Sequence, residues 1–340
     1  MSAHISTHVA TQADPKGIAG GRIMGAILAA GRGSRMWPFS SSYPKPVLPI
    51  CNKPLITYQI EMMRDIGITD IVILIGHKGY EITKVLGDGH TLGVHLQYVE
   101  QVEALGLAHA VGHLEAVLDR PFVLFLGDIF FKAPRLAALV ETFFEREAAA
   151  VLATKDEPDL AAIRRNFSVI LGEDGFATRV IEKPRHPPSS VKGVGLYVFD
   201  PTVFDAVRRT PRTAMRNEFE LTETIQVMID DGHRICTAAV VDEDLNLTNP
   251  YDLLSVNLRE AQERFAGALI HPSAELVAPQ RVERSVIGAR VRVPNAIDIQ
   301  DSLIFEDTEV TLRRPLRHVI ITPHGVLDCS AALPEDAGDV

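Results

Sequence analysis

Apolar residues along this chain keep two different rhythms. In the first part they form short unbroken runs set between amphipathic stretches. Ile23–Ala30 is one such run and ends at Gly31; Asp70–Gly76 (DIVILIG), Val94–Val99 and Pro121–Leu126 follow, the last closing on Gly127-Asp128. Short apolar runs bounded by turn residues read as buried strands. Leu55–Ile66 and Leu107–Leu118 carry apolar residues at helical spacing, and a further short helix is expected up to about Leu86. Strands alternating with helices predict a parallel sheet covered on both faces. A ligand of such a sheet sits at the carboxyl ends of its strands.

Strand patterns continue at Ala149–Ala153, Ser168–Leu171, Arg179–Glu182, Gly195–Phe199 and Cys236–Val241, with a helix over Leu221–Asp230. Asn249-Pro250 opens another helix, Asn as its cap and Pro at its first position, running to about Phe265.

The second rhythm follows. Ile270, Ile287, Ile304 and Ile321 are 17 residues apart, as are Leu276, Val293, Val310 and Leu327, and also Val282, Ile299 and Leu316. Within each period the steps are 6, 6 and 5 residues. A six-residue apolar period predicts a three-faced parallel β-solenoid, each coil burying the next. The expected organisation is a disordered arm over 1–21, a catalytic unit over 22–248, a connecting helix over 249–266, a short solenoid over 267–330 and a tail over 331–340.

Composition narrows the function classes. The 340 residues are 46% apolar and 23% charged, an ordinary globular balance. No run approaches the 18 or so apolar residues of a membrane span, and no secretory signal is visible. Three well-separated cysteines, Cys51, Cys236 and Cys329, predict neither disulfides nor a zinc ribbon. A cytoplasmic protein without a membrane partner is the expectation. The net charge of −10 disfavours nucleic acid as a partner. The charge is uneven, however. Ile23 to Ile60 contains no Asp or Glu, yet holds Arg32, Arg35, Lys45 and Lys53. A cationic segment in an acidic protein points to one small anionic ligand.

That segment carries the chemistry. In LAAGRGSRMWPFSSSYPKPVLPICNKPLI (Leu28–Ile56), Gly31 and Gly33 let backbone N–H groups approach a phosphate chain. Arg35 can clamp a phosphate with two hydrogen bonds, and Lys45, between Pro44 and Pro46, is a point charge on stiffened backbone. It is neither a Walker loop nor a dinucleotide fingerprint, since Met36 stands where a third glycine belongs. His109 and His113 are four residues apart, with no third ligand nearby and no H-E-x-x-H, so zinc is not expected. Ser34 lies in no nucleophile elbow.

The segment resembles the signature of the sugar-1-phosphate nucleotidylyltransferases, L-x-x-G-x-G-T-R-x-x-P followed by P-K-P-L-x-P-[IV]. Ser34 replaces Thr and Val47 replaces Leu. The long-form glucose-1-phosphate thymidylyltransferases look most similar, because they too end in a short solenoid. Further matches are QVEALGLAHAV (Gln101–Val111), LGDIFF (Leu126–Phe131), IEKP (Ile181–Pro184), GVGLYVFD (Gly193–Asp200), NEFELTE (Asn217–Glu223) and NLTNPYDLL (Asn246–Leu254). The resemblance implies an α/β fold: a mixed, mostly parallel Rossmann-like sheet followed by a short left-handed parallel β-helix.

It implies an enzyme joining a nucleoside triphosphate, dTTP foremost, to a sugar-1-phosphate such as glucose-1-phosphate, with release of pyrophosphate. UTP- or GTP-dependent relatives and a non-catalytic regulatory subunit are the alternatives. Nucleotide binding is placed on Leu28, Ala29, Ala30, Gly31, Gly33, Gln101 and Gly106, and catalysis on Arg35, Lys45, Asp128 and Lys183. Glu182, Lys183, Gly195 and Glu218 fall to the sugar phosphate. Mg2+ falls to Asp128 and Asn246; Asn246 stands where the thymidylyltransferases carry aspartate, with Asp242 and Asp244 close by as substitutes. A homo-oligomer is expected.

Overall fold

The computed structural model describes residues 21–214, 216–277 and 281–330. The arm expected over 1–21, except Gly21, and the tail over 331–340 lie outside the described residues.

The chain opens with β1 (Met24–Ala29), and a loop leads to a small hairpin, β2 (Pro49–Ile50) and β3 (Lys53–Pro54). There follow α1 (Leu55–Asp65), β4 (Asp70–Ile75), α2 (Gly79–Leu86), β5 (His95–Glu100), α3 (Leu107–Gly112) and β6 (Phe122–Leu126). β1 pairs in parallel with β4 and with β6, and β4 with β5. This half is the parallel sheet that the apolar runs predict. Both faces of β1 are covered. Ile27 and Ala29 pack with Ile56, Ile60 and Met63 of α1 on one side; Ala26 and Leu28 pack with Ala110 and Val111 of α3 on the other. Two-sided burial is why the strand reads as a continuous apolar run. The helix expected over Leu107–Leu118 is shorter, giving way to turns after Gly112.

The second half brings in the antiparallel strands of the mixed sheet. It runs β7 (Ile129–Lys132), α4 (Leu136–Glu145), β8 (Ala150–Asp156), α5 (Leu160–Arg165), β9 (Phe167–Leu171), β10 (Ala177–Glu182) and β11 (Val191–Phe199). Next come α6 (Val203–Arg209), α7 (Leu221–Asp230), β12 (Ile235–Ala238) and β13 (Glu243–Asn246). β11 is antiparallel to β6, β8 and β9, so the nine-stranded sheet is mixed, parallel on one side of β6 and largely antiparallel on the other. β13 leaves the main sheet and pairs with β7 alone.

α8 (Pro250–Arg264) starts as its sequence predicts. Asn249 accepts from the Asp252 amide at 3.1 Å, and Asp252 accepts from the Asn249 amide at 2.9 Å. Beyond it lie three small sheets built from β14 (Ala268–Ile270), β15 (Glu275–Leu276), β16 (Val282–Glu283), β17 (Ser285–Ile287), β18 (Arg292–Val293), β19 (Ile299–Gln300), β20 (Leu303–Ile304), β21 (Leu316–Arg317), β22 (Val319–Thr322) and β23 (Gly325–Asp328). Parallel partners are 17 residues apart: Ile270 faces Ile287, Ile287 faces Ile304 and Ile304 faces Ile321. The column Val282, Ile299, Leu316 also holds. Leu327 does not stack on the Leu276–Val293–Val310 column. The Pro323-His324 turn folds β23 back, and Leu327 pairs antiparallel with Ile320.

One apolar cluster joins these sheets to the rest, holding Met36, Phe39 and Leu48 from the loop after β1, Leu253 and Leu254 from α8, and Val286, Leu303 and Phe305. Asn257 of α8 is fully buried there. Its carboxamide accepts from the Cys51 amide at 2.8 Å and donates to the Pro49 carbonyl at 2.9 Å. No helix among the described residues is long and apolar enough to cross a membrane.

Asn257→Leu strands the Cys51 amide and the Pro49 carbonyl without a side-chain partner. It is expected to lower unfolding stability by about 2 kcal/mol, measured by urea denaturation; an unchanged midpoint contradicts this bracing role.

Candidate active site

The loop after β1 is anchored at its apolar residues and open at its charged ones. Met36 and Phe39 are buried, and Phe39 stacks on Phe305 at 5.8 Å. Arg32 and Arg35, beside these anchors, are exposed, and neither forms an ion pair among the described residues. Gly33 adopts φ +61°, and a Cβ there would stand 3.0 Å from Cγ of Lys45. The left-handed turn and the passage of the lysine both call for glycine. Lys45 is buried, and its ammonium lies 3.3 Å from Oδ2 of Asp128.

Asp128 follows β6 at its carboxyl end. Its turn is fixed from below by Gln59, a buried polar residue on the apolar face of α1. The Gln59 amide donates to the carbonyls of Leu126 and Ile129, both at 2.9 Å, on either side of Gly127-Asp128. Sequence reasoning missed Gln59; its signal is a lone carboxamide in the stripe Leu55, Ile56, Ile60, Met63.

β13 brings Asn246 opposite Ile129, next to Asp128, and the Leu247 amide donates to the Asp128 carbonyl at 3.1 Å. The two alternatives lie elsewhere. Asp244 is buried against Lys192 at 2.9 and 3.0 Å, with Glu157 3.4 Å from the same ammonium. Burial pushes the Asp244 carboxyl above its ordinary range while Lys192 pulls against it. Asp242 is exposed and lies 3.6 Å from Arg135.

Leu28, Ala29, Ala30, Gly31, Gly33, Lys45, Gln101, Gly106, Asp128 and Glu218 line one cleft of about 260 Å3, at the carboxyl ends of β1, β5 and β6. Asn246 borders a larger cavity of about 730 Å3, walled by Lys192, Asp244, Arg165 and the start of α8. Gly106 takes φ +119°, and a Cβ would meet the backbone of Phe219 at 2.4 Å. The turn before α3 therefore has room for no side chain.

Not every expected residue joins this cleft. Glu182 and Lys183 line a separate hollow of about 390 Å3 with Arg216 and Glu220. There the Lys183 ammonium turns back onto Glu182 at 3.4 Å, and Arg216 reaches the same carboxylate at 3.3 Å. Burial pushes the Glu182 carboxyl above its ordinary range, with Lys183 pulling the other way. Gly195 packs behind the cleft at φ +74°, where a Cβ would meet Ile129 and Leu126 at 2.8 and 2.9 Å.

This geometry coincides with a known family. The family model described as "Nucleotidyl transferase" matches residues 24–245. The chain belongs to the nucleotidyl transferase family. The low-salt glycan biosynthesis nucleotidyltransferase Agl11 of Haloferax volcanii is 36% identical over 236 residues, spanning 68% of this chain and 64% of that protein. A glucose-1-phosphate thymidylyltransferase of Streptomyces antibioticus is 33% identical over 293 residues, 84% of this chain and 78% of the relative. Among solved structures, a Bacillus anthracis protein described as a glucose-1-phosphate thymidylyltransferase superimposes with TM-score 0.62 at 26% identity, covering 69% of this chain and 94% of that one. The transferase's described cysteines are all free and buried, and none of them lines the cleft.

Because burial raises the folded-state pKa of Glu182, its ionisation opposes folding. The favourable contribution is present below the unfolded-state pKa and is lost as pH rises through the folded-state value. The stability of the native protein relative to Glu182→Gln should therefore fall as pH rises from the ordinary carboxylate range towards neutrality. Urea unfolding across that range checks it; a pH-independent difference contradicts the assigned cause.

Proposed function

We propose that this transferase joins a nucleoside triphosphate to a sugar-1-phosphate, releasing pyrophosphate, with dTTP and glucose-1-phosphate as the preferred pair. The observation that carries the reading is the cleft floor. A buried ammonium and an aspartate meet at the strand ends beside a glycine turn, and the same loop carries two exposed arginines, Arg32 and Arg35, that form no ion pair among the described residues. The thymidylyltransferase relative, aligned over most of both chains, supports the substrate pair.

A phosphate oxygen of the sugar-1-phosphate attacks the α-phosphorus. The new P–O bond forms as the bond from the α-phosphorus to the bridging oxygen breaks, and pyrophosphate leaves with that electron pair. The nucleophile is already anionic, so the site needs no general base. Its work is to hold two polyanions together and neutralise them. Gly31 and Gly33 present amides to the triphosphate, and Arg35 takes the charge developing on the leaving pyrophosphate. Lys45 faces the transferring phosphate, and Gln101 reads the base edge beside Gly106. Lys183 reaches the attacking phosphate only by leaving Glu182.

The residues present fit a magnesium ion. Asp128 is half exposed, with one carboxylate oxygen turned to Lys45, and the exposed Asn246 carboxamide makes no hydrogen bond to protein among the described residues. Two oxygen donors leave most of the shell to water and phosphate, as magnesium prefers. When bound there, the ion supplies charge neutralisation between the two phosphates.

We further propose that the three 17-residue-register sheets are the three faces of a short left-handed β-helix, following a catalytic unit over 22–248 and a connecting helix over 249–266. The imide edge that Gln101 would read is common to thymine and uracil, so UTP is the second reading.

Two experiments test this. Pyrophosphate release from dTTP, UTP, GTP, CTP and ATP against several sugar-1-phosphates should peak with dTTP and glucose-1-phosphate; no release in any pair overturns the reading. Arg35→Ala should cut kcat/KM by about a hundredfold or more with an unchanged melting temperature, because the side chain is exposed and unpaired. Full turnover in the folded variant contradicts the role of Arg35.

A further inference from the structure

Gln101 is buried, and its carboxamide is shared between two environments. Its backbone amide donates to the Ile75 carbonyl at 2.8 Å, which fixes the residue at the end of β5 on the wall of the cleft. Its side-chain nitrogen, Nε2, lies 3.0 Å from Nδ1 of His109 on α3. His109 faces away from the cleft. Its ring borders a different hollow, edge-on to His113 at 4.6 Å and stacked on Phe219 at 6.2 Å. The other end of the carboxamide, Oε1, has no protein partner among the described residues.

A carboxamide can be turned end for end at almost no steric cost, so its neighbours decide which end is which. A neutral imidazole accepts at its unprotonated nitrogen and donates at the other. Burial, with His113 beside it, holds the His109 ring below its ordinary pKa and so keeps it neutral. In the tautomer with the proton on Nε2, which the placement of Gln101 Nε2 at Nδ1 requires, Nδ1 accepts from Gln101 Nε2 and the cleft is left facing a carbonyl oxygen.

We infer that His109 is a positioning residue for nucleobase selection: it fixes the Gln101 carboxamide so that Oε1 alone meets the base edge. Among pyrimidines, an acceptor at this place favours uracil or thymine, whose N3 carries a hydrogen, over cytosine, whose N3 carries a lone pair. The inference rests on the reading of Gln101 as the group that meets the base. It assigns a function to a histidine whose i, i+4 partnership with His113 otherwise suggests only a helix-surface pair.

The test compares kcat/KM for UTP or dTTP, whichever turns over faster, with that for CTP, at a fixed sugar-1-phosphate. His109→Leu removes the acceptor, and the selectivity ratio should fall by about tenfold, the worth of one hydrogen bond. The loss should lie in KM, leaving kcat for the preferred nucleotide near its native value. His109→Glu, which only accepts, should restore the ratio. His109→Lys, which only donates, should turn the carboxamide round and push the ratio below that of the leucine variant. The glutamate and lysine pair carries the test if the leucine variant does not fold.

Gln101→Leu separates the two layers. If it collapses the ratio while every His109 variant keeps the native value, Gln101 reads the base and the His109 inference is overturned. If it leaves the ratio unchanged, or if neither UTP nor dTTP is a substrate, the base-reading role fails and the inference falls with it.

Discussion

Lys45 is an ammonium held largely out of water, and Asp128 at 3.3 Å is what makes that position tolerable. An unpaired cation in the same place would lose its hydration without compensation. The contact therefore does two jobs. It ties the loop after β1 to the end of β6, and it fixes one positive and one negative charge where the parallel strands stop. Gly33 turns left-handed to let the lysine pass, Gln59 clamps the carbonyls around the aspartate, and β13 lays Asn246 alongside. Arg32 and Arg35 of the same loop, which contains no acid, form no ion pair among the described residues. The unpaired loop arginines are cations that an anionic ligand can satisfy, and they are the physical basis of the proposed chemistry.

The distal sheets belong to the same construction. Phe39 and Tyr43 of the loop pack on Phe305, Asn52 donates to the Ile287 carbonyl at 3.0 Å, and Asn257 of α8 holds Pro49 and Cys51. A second bracket of charge lies behind β7, where Lys132 meets Glu260 at 2.9 Å and Arg259 meets Glu243 at 2.6 Å. These contacts fasten α8 to the strand pair that carries Asn246. The 17-residue register thus does more than cover its own core: Ile287 and Phe305 back the loop and hairpin that the cleft depends on.

Much of this was legible in the chain, for reasons that can be named. Buried parallel strands show as unbroken apolar runs, and stacked strands show as a fixed period, so β1, β4, β6 and the columns of isoleucine could be placed. The loop stood out because charge composition is local. What escaped depends on partners far apart in sequence. Antiparallel β11 looks no different from a parallel strand when read alone. The return of Leu327 onto Ile320 is decided by the Pro323-His324 turn, against a period that the residue itself obeys. The burial of Lys192 against Asp244, the turning of Lys183 onto Glu182, and the pairing of Gln101 with His109 are side-chain choices that no spacing rule announces.

The central claim is that the cleft joins the α-phosphate of a nucleotide to the phosphate of a sugar. The most direct measurement follows the phosphorus atoms: nucleoside triphosphate labelled at the α-position, and separately at the γ-position, is incubated with glucose-1-phosphate and magnesium. The account predicts that the α-label appears in a nucleotide-sugar and the γ-label in pyrophosphate, in equal amounts. Label released as orthophosphate, or an α-label left entirely in free nucleotide, would contradict it.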